Sequence, residues 1–400
     1  MNVLMVNPTH PSTPHISAMR AWRFAQELVR AGDRVTLLTA AGGDGPLPLR
    51  ATAAGEPAIV SVRSPGRPAP RPVAGRLSQQ IRTAWNMIRY GGSMTGWVTE
   101  CERMVDQRLL GFRPDVIWCT FGRMESVLLA RSLARRFGCP WVLDLKDNWD
   151  LYVPRGLRRL MVWRTRGWSR VTANARFTAD KARQWQRTEA DIIYSGVEDA
   201  FFSPLAEADT SDRLTVNVVG SVYSDARLRA LLRGIELWVE SLDDARRAHV
   251  LVRYMGPDGR RFADASRDLA RIVAVDVEGY VGVERMAAAC RSAIANAYVK
   301  HDGTFHHKLL ELLSCGVPVI VVPGESEESR RLARAVGGAL HECRDEAVVA
   351  DTISALSGRP RRTMQSSVVG PAGGGYSWAS QGERLRAVLR SVAHGNQKAA

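Results

Sequence analysis

The chain has 400 residues, 45% of them hydrophobic, and carries a formal net charge of +14. One hydrophobic core usually stops growing at about 250–300 residues, so this length excludes a single small domain and predicts two domains with separate cores. No apolar run approaches the roughly 18–20 residues of a membrane-spanning helix, which excludes an integral membrane protein of the helical kind.

The first half of the chain alternates short β-branched runs with helical patterns, which is typical of a parallel α/β sheet. Residues 42–75 are rich in Gly, Pro and Arg and are predicted to be mostly surface loop around a strand at 59–62. The other strands are predicted at Val3–Asn7, Val35–Thr39, Val116–Cys119, Trp141–Leu145 and Ile192–Tyr194, with helices at 17–31 and 125–137.

The second half begins after a polar, turn-rich stretch at 196–212, which is predicted to be an interdomain linker. A second alternating series follows, and a last amphipathic helix ends near Val392. We therefore predict two doubly wound Rossmann-like domains, at 1–195 and 213–375, followed by a returning helix and tail at 376–400. The strands of the second series are predicted at 214–219, 250–255, 272–277, 293–299 and 317–322, with helices at 226–241, from 284 and at 305–316.

Several kinds of cofactor site are absent from the sequence. No G-x-G-x-x-G follows a strand and no G-x-x-x-x-G-K-[ST] occurs, which argues against a dinucleotide oxidoreductase and a P-loop nucleotidase. There is no Asp-x-Asp pair, and the eight histidines lack zinc-ligand spacing, so we expect neither a metal nor a cofactor. Scattered cysteines and the lack of an export signal predict reduced thiols in a cytoplasmic protein.

The segment FHHKLLELLSCGVPVIVV at 305–322 is a helix followed by a buried strand. Lys308 and Glu311 lie three residues apart and therefore share one helical face, either as a surface ion pair or as a binding pair. Asp302 or Thr304 is positioned to cap the start of this helix. Gly316 lies at its end, where a residue with left-handed backbone conformation is expected.

The position of this helix favours the binding interpretation. It follows the strand predicted at 293–299, and open α/β sheets bind ligands beyond the carboxyl ends of their strands. The free amides of a first turn suit a pyrophosphate, Lys308 adds a positive charge, and Glu311 offers two oxygens to vicinal hydroxyls. A nucleoside diphosphate fits this arrangement.

At this point the chain resembles a known family over about nine-tenths of its length. The matching segments are LMVNPTHPSTPHISAMRAWRFAQELVRAGDRVTLLT, CPWVLDLKDNWD, NVVGSVYS, KLLELLSCGVPVIVV and YSWASQGERLRAVL, in this order. They resemble glycosyltransferases of the GT-B fold, closest to the retaining family 4 with its exopolysaccharide and lipopolysaccharide members. The resemblance implies two Rossmann-like domains facing across a cleft, with a C-terminal helix returning to the N-terminal domain.

The resemblance also assigns donor-binding residues to the C-terminal domain. It implies that Glu311 binds the ribose hydroxyls, and that Lys308 binds the diphosphate. A glutamate common in the family is replaced here by Gly303, and whether the neighbouring Asp302 replaces it stays open. The other donor residues implied are Thr304 and the amides of Phe305 and His306 at the diphosphate, the Gly220–Ser221 turn beside the phosphates, and Tyr280 and Val281 near the base.

Catalysis is assigned to Lys308 and Arg227, because the cations that usually follow the Gly220 position are shifted here to Arg227 and Arg229. Both would stabilise charge on the leaving diphosphate. In a retaining enzyme the leaving phosphate itself takes the acceptor proton, whereas in an inverting enzyme Asp147 would be the base.

The acceptor side is predicted from the N-terminal domain. The segment Asp144-Leu-Lys-Asp-Asn-Trp149 follows a predicted strand and should face the cleft; the alternative is an acidic turn that caps the next helix. The family has Arg-Asp-x-Trp here, so Lys146 is a mild substitution. We assign four residues to the acceptor side: His15 of the first matching segment, and Asp144, Asp147 and Trp149.

Residues 155–170 contain six arginines and no acid, with Leu157, Leu160, Met161 and Trp168 roughly on one stripe. A basic amphipathic helix of this kind can lie on an anionic membrane. The alternative is a helix packed on its own domain with solvated arginines.

We therefore expect a nucleotide-sugar glycosyltransferase that is retaining and metal-independent, with UDP or GDP in its donor. The expected acceptor is a lipid-linked glycan or polysaccharide precursor, at the inner face of the cell membrane. The alternatives are a natural-product glycosyltransferase with a soluble acceptor and a non-catalytic two-lobed binding protein. No nucleic-acid partner is expected, since no helix-turn-helix, zinc or aromatic-platform pattern occurs.

Overall fold

The computed structural model describes residues 1–13, 15–41, 55–63, 76–94, 96–108, 111–202, 213–300, 306–358 and 374–397. The chain divides into two compact units. Unit 1 contains Met1–Gly196 and Trp378–Ala400, and unit 2 contains Val197–Ser377. Unit 1 is therefore discontinuous in sequence, with unit 2 inserted before its last helix.

Unit 1 is built on a seven-stranded sheet in the order β3-β2-β1-β4-β5-β6-β7, and every neighbouring pair is parallel. Its central strands β1, β2, β4 and β5 are buried on both faces, as a parallel sheet between helices requires. The strands are β1 (Asn2–Val6), β2 (Arg34–Ala40), β3 (Ala58–Val62), β4 (Val116–Phe121), β5 (Trp141–Leu145), β6 (Arg170–Ala173) and β7 (Asp191–Ile192).

Helices cover both faces of this sheet. A short π-helical turn at Ala182–Gln186 continues the last helix of the segment before β7. The helices are α1 (Ile16–Arg30), α2 (Arg76–Tyr90), α3 (Trp97–Arg108), α4 (Met124–Phe137), α5 (Trp149–Tyr152), α6 (Arg158–Arg164) and α7 (Arg176–Lys181).

Unit 2 has a six-stranded parallel sheet in the order β10-β9-β8-β11-β12-β13. The strands are β8 (Leu214–Val219), β9 (Val250–Met255), β10 (Ala274–Glu278), β11 (Ala295–Val299), β12 (Val319–Val322) and β13 (Leu340–Glu342). The helices are α8 (Asp225–Glu240), α9 (Asp244–Arg247), α10 (Gly259–Ala265), α11 (Val283–Arg291), α12 (Lys308–Ser314), α13 (Glu327–Val336) and α14 (Glu346–Ser357).

A last helix, α15 (Trp378–Gln397), packs on α1 of unit 1. The Trp378 and Phe24 rings meet edge-on with centroids 5.3 Å apart, and Leu385 and Leu389 are buried in the same cluster. The Gln381 side chain accepts a hydrogen bond from the Tyr194 amide at 2.9 Å. The prediction of a helix returning to the N-terminal domain is confirmed.

Both sheets have a point at which the strand order reverses, and this point decides where ligands bind. In unit 1 it lies between β1 and β4, and in unit 2 between β8 and β11. Crossover connections leave in opposite directions there, so a crevice opens beyond the carboxyl ends of the two strands. Asn7 and Gly122 follow the unit 1 pair, and Gly220 and Lys300 follow the unit 2 pair.

The predicted two-domain α/β architecture is confirmed, with differences at element ends. The strand predicted at 272–277 begins at Ala274, because residues 269–271 form a 3-10 turn. The helix predicted from 305 begins at Lys308. In the predicted linker, Asp199–Phe201 forms a 3-10 turn with a buried Phe201, while residues 203–212 lie outside the described residues.

The predicted loop at 42–75 is described only over 55–63, where β3 runs parallel to β2. Helices α2 and α3 were not predicted from the sequence. Within the described parts of the chain, no helix has both the length and the apolar character needed to cross a bilayer.

Candidate functional site

The first candidate group lies at the start of α12. Leu309, Leu310, Leu312 and Leu313 are fully buried, which fixes the helix against the unit 2 core. Glu311 is buried with them, and its Oε2 lies 2.6 Å from Lys308 Nζ. The interpretation of Lys308 and Glu311 as an ordinary surface ion pair is therefore wrong, because the Glu311 side chain is only 4% exposed.

The electrostatics of this pair keep both groups charged. Burial alone would raise the pKa of Glu311, but Lys308 and His307 outweigh it and lower that pKa to about 2. Burial likewise opposes the charge of Lys308, and Glu311 outweighs it, so that the Lys308 pKa is raised. His307 Nε2 lies 3.4 Å from Glu311 Oε1. The group is thus a buried carboxylate held between two basic side chains.

Gly220 lies beside this group at the end of β8. Its φ is +96°, in the left-handed region that favours glycine. A Cβ at this position would lie 3.6 Å from Lys308 Cγ and 3.7 Å from His306 Cε1. The turn that Gly220 forms with the half-buried Ser221 is therefore adjacent to Lys308, although the two are far apart in sequence.

Arg227 lies at the same edge of the sheet. Ser224 caps α8 by accepting from the Arg227 amide at 3.4 Å, which sets the first turn of this helix. The Arg227 side chain then donates from Nη1 to the Lys300 carbonyl at 2.9 Å, directly after β11. Arg229, the other cation considered, is exposed.

A network of residues missed by the sequence analysis supports the same edge. The His306 ring stacks on the Tyr298 ring with centroids 5.0 Å apart, and the Tyr298 hydroxyl donates to the buried Glu325. Glu325 also accepts from Ser329 Oγ at 2.8 Å and lies 3.8 Å from Lys300 Nζ. Lys300 and Glu325 could have been found, because both follow strand ends at the carboxyl edge.

Of the other residues predicted on the donor side, Tyr280, Val281 and His306 belong to the described part of the chain. Tyr280 and Val281 lie between β10 and α11; Tyr280 is exposed and within electrostatic range of Lys308. His306 lies just before α12 and its carbonyl accepts from the Leu309 amide at 3.0 Å, while the contact of its own amide with a diphosphate stays a prediction. Asp302, Gly303, Thr304 and Phe305 lie outside the described residues.

The second candidate group lies at the reversal point of unit 1. Asp147 Oδ2 would be 3.2 Å from a Cβ on Gly122, and Ser17 Oγ 3.5 Å from it. Lys146 Nζ lies 3.0 Å from Asp147 Oδ2. His15 caps α1 by accepting from the Ser17 amide at 3.1 Å.

His15 is electrostatically coupled to this group. Partial burial and the Lys146 charge lower its pKa, while Asp147 opposes them. His15, Lys146 and Asp147 therefore lie together near the ends of β1 and β4, with Asn7 beneath them. Asn7 was not predicted; its side chain donates to the Ser17 carbonyl at 2.8 Å and is buried.

The assignment of Asp144 and Trp149 to acceptor contact is wrong. Asp144 is fully buried and accepts two hydrogen bonds from Arg20, at 3.0 and 2.8 Å, and one from Thr172 at 2.8 Å. Trp149 is also fully buried and packs on Phe121 with ring centroids 4.9 Å apart. Both side chains are enclosed within unit 1 and hold the strand end in place.

The alternative for the segment 144–149 is correct in part, since a helix is capped there. The cap is Asn148, which accepts from the Asp150 amide at 2.9 Å, and not an aspartate. Asp147 thus keeps its carboxylate directed to the edge of the sheet. Over the described ranges, no three His, Cys, Asp or Glu side chains cluster as metal ligands would.

The basic run 155–170 is not one amphipathic helix. It forms a 3-10 turn at Arg155–Leu157, then α6, and enters β6 at Arg170. Met161 is buried, whereas Leu160 is 36% exposed, so the predicted single apolar stripe is divided between the core and the surface.

Comparison with known proteins agrees with this architecture. Residues 17–196 match the family model described as "Glycosyl transferase 4-like domain". No curated protein was found to match the chain.

Among solved structures, the Anabaena protein Alr3699/HepE in complex with UDP and glucose is similar at 14% identity and a TM-score of 0.67. The match covers 98% of this chain and 100% of that one. Sucrose-phosphate synthase from Thermosynechococcus elongatus has 12% identity and a TM-score of 0.66, with 98% and 99% covered. The N-terminal domain of Candida albicans trehalose-6-phosphate phosphatase has 14% identity and a TM-score of 0.65, with 98% and 96% covered.

At such identities these structures show the fold alone, while the family match covers most of unit 1. Together they agree with the resemblance seen in the sequence: residues 17–196 match a glycosyl transferase 4-like domain, and the chain has the GT-B fold of these structures.

Proposed function

We propose that this chain transfers a glycosyl group from a nucleoside-diphosphate sugar to an acceptor hydroxyl. The observation that carries the proposal is the buried Glu311 carboxylate, ionised beside Lys308 at the reversal point of the unit 2 sheet. Burying a charge is unfavourable unless it is paired, and a charge kept at a ligand-binding edge is typical of a binding site.

The donor roles follow from the positions of these groups. Glu311 accepts hydrogen bonds from the two ribose hydroxyls, while Lys308 and Arg227 neutralise the diphosphate. The Gly220–Ser221 turn lets the phosphates approach the backbone closely, because glycine has no side chain to block them. Tyr280 and Val281 lie near the base, and Thr304, Phe305 and His306 complete the phosphate contacts.

We propose UDP or GDP as the nucleotide of the donor. The Anabaena protein was solved with UDP and, in a second complex, with UDP-glucose at a TM-score of 0.64, which supports a nucleoside diphosphate of this class. No cofactor and no metal takes part in the proposed reaction, since Lys308 and Arg227 supply positive charge of their own.

In the chemical step, the bond from the anomeric carbon to the diphosphate oxygen breaks, and the acceptor oxygen bonds to that carbon. Negative charge grows on the leaving diphosphate, where one well-placed donor contributes about 3–4 kcal/mol to the transition state. With retention, the leaving phosphate takes the acceptor proton. With inversion, Asp147 takes it, and His15 and Lys146 surround that carboxylate.

We propose a lipid-linked glycan or cell-surface polysaccharide precursor as the acceptor, bound by unit 1 at His15 and Asp147. Such an acceptor requires the enzyme to work on the inner face of the cell membrane as a peripheral protein. A natural-product acceptor in solution would remove this requirement.

The test is ligand-induced stabilisation of the whole chain by UDP, GDP, dTDP and ADP. A nucleotide at 100 times its dissociation constant adds about 2.7 kcal/mol to the free energy of unfolding. We expect UDP or GDP to give the largest shift. Glu311→Gln should weaken the affinity for that nucleotide at least about tenfold, since a hydrogen bond to a charged group contributes about 1.5–3 kcal/mol.

The matched control is Glu125→Gln, which alters another buried carboxylate but lies in unit 1. It should leave nucleotide affinity unchanged. If no nucleoside diphosphate stabilises the chain, or if both variants bind equally well, the donor assignment is wrong. NMR analysis of the anomeric product distinguishes retention from inversion, and slow hydrolysis of the sugar donor excludes a non-catalytic binding protein.

A further inference from the structure

Exposed apolar side chains are concentrated in two segments of unit 1. In the part of the chain that the structure describes, eleven large hydrophobic residues are exposed, and seven of them lie within 81–88 and 151–163. A cluster of this kind on a folded protein marks an interaction surface. The seven are Ile81, Trp85, Ile88, Leu151, Tyr152, Leu160 and Trp163.

Helix α2 carries three of these residues on one face. Ile81, Trp85 and Ile88 are spaced four and three residues apart, so their side chains are neighbours on the helix surface. Ile81 and Trp85 are each 61% exposed. Among residues 80–90 only Met87 is buried, so this helix directs most of its apolar surface away from the described core.

Helix α6 lies next to α2. The Arg164 side chain of α6 donates a hydrogen bond to the Ile88 carbonyl of α2. Met161 and Val162 anchor α6 in the unit 1 core, and this leaves Leu160 and Trp163 exposed, Trp163 by 62%. We define the two-helix surface as Ile81, Trp85, Ile88, Leu151, Leu160 and Trp163.

The two-helix surface continues toward the candidate acceptor group. Tyr152, beside Leu151, packs edge-on against Phe121 with ring centroids 5.9 Å apart. Phe121 ends β4 and precedes Gly122, which lies next to Asp147. Burial and the Asp147 charge both raise the Tyr152 pKa, so the phenol and the carboxylate are electrostatic neighbours.

The exposed charges of residues 80–90 and 149–170 are all positive. Arg89, Arg155, Arg159 and Arg166 are exposed in α2 and in the segment 149–170. The single acid of residues 80–90 and 149–170 is Asp150, which is paired with Arg158 at 3.0 Å and with Lys181. Apolar side chains ringed by arginine match a bilayer with acidic headgroups, where arginine binds phosphate and tryptophan enters the interface.

We propose that the two-helix surface docks unit 1 on an anionic lipid bilayer, with the Trp85 and Trp163 side chains inserted among the headgroups. A second copy of this chain is a poorer occupant, because two arginine-rimmed faces would repel each other. Nucleic acid would pair with the arginines and leave Ile81, Ile88 and Leu160 in water. The inference rests on the lipid-linked form of the proposed function and identifies the face that meets the lipid.

The test is flotation of the full-length chain with vesicles of phosphatidylcholine alone and of phosphatidylcholine with 30 mol% phosphatidylglycerol. We expect binding only to the anionic vesicles. Trp85→Ser with Trp163→Ser should lower the partition coefficient at least tenfold, and Arg89→Glu with Arg159→Glu should lower it similarly. The matched control, Ile272→Ser with Arg271→Glu, changes an exposed apolar and a basic residue of unit 2 and should bind as the wild type does.

Stabilisation by UDP or GDP is measured on every variant without lipid, so that failure of the donor site is seen separately and misfolding is detected. Equal flotation of wild type and both surface variants overturns the proposal. Loss of a concentration-dependent dimer in the tryptophan variant, without vesicle binding by the wild type, would identify a second copy as the occupant. Binding of an oligonucleotide that the arginine variant abolishes, again without vesicle binding, would identify nucleic acid.

Discussion

Glu311 offers the sharpest test of the electrostatics of the proposed donor site, through the variant Glu311→Gln. The pKa of Glu311 is about 2 in the folded chain, compared with 4.5 for a free glutamate. This difference corresponds to about 3 kcal/mol of stabilisation at neutral pH, because each pKa unit represents about 1.4 kcal/mol. The variant removes that contribution and leaves Lys308 without its carboxylate.

The sign of the pH dependence follows from the lowered pKa. A carboxylate with a depressed folded-state pKa stabilises fully above pH 4.5 and loses its contribution as pH falls toward 2. We therefore expect unit 2 of the variant to be about 3 kcal/mol less stable than wild type at pH 7. At pH 3.5 this difference should narrow by about 1 kcal/mol, since the wild-type group is then losing its advantage.

Hydrogen exchange of the amides in β8 and β11 measures unit 2 separately from unit 1. The comparison variant is Glu125→Gln, because burial raises the pKa of Glu125. Its wild-type carboxylate favours folding more as the pH falls, so the pH trend should have the opposite sign in unit 1. Equal stability of Glu311→Gln and wild type at pH 7, or a difference that does not change with pH, would refute the reasoning.

Two further predictions concern backbone conformation and the last helix. Gly220→Ala should destabilise unit 2 by about 1–2 kcal/mol through left-handed strain, since the added methyl makes only ordinary contact with Lys308. Gly279→Ala, which meets nothing within 4 Å, is its control; equal hydrogen exchange in both variants would contradict the strain argument. Trp378→Ala should destabilise unit 1 by about 3–5 kcal/mol, because a buried ring against Phe24 is lost. Urea unfolding followed by tryptophan fluorescence measures this, and an unchanged midpoint would show that α15 does not stabilise unit 1.

The sequence was sufficient for the architecture because the strands are short β-branched runs separated by amphipathic helices. It was also sufficient for the contact between Lys308 and Glu311, because their spacing is local to one helix. The neighbouring position of Gly220 came only from the resemblance, since it depends on β8 pairing with β11.

The errors have a common physical cause: they depend on contacts between distant residues. Asp144 follows the pattern of a strand-end carboxylate, yet its partner Arg20 lies 124 residues earlier in the chain. Tyr298 lies in β11 and Glu325 follows β12, so the two meet only when these strands pair. Helix α2 was not assigned, and its period alone would not have shown which way its apolar side turns, because a helical period is the same toward the core and toward solvent.

The discontinuity of unit 1 has a consequence for biosynthesis. The strands of unit 1 leave the ribosome first, but the helix that covers α1 is made only after all of unit 2. At about 5–20 residues per second, roughly 20–70 s pass between the synthesis of Phe24 and that of Trp378. During that interval the apolar face of α1 around Phe24 stays uncovered and accessible to chaperones. A translation product that ends before α15 would keep this face exposed, and chaperones would bind it there.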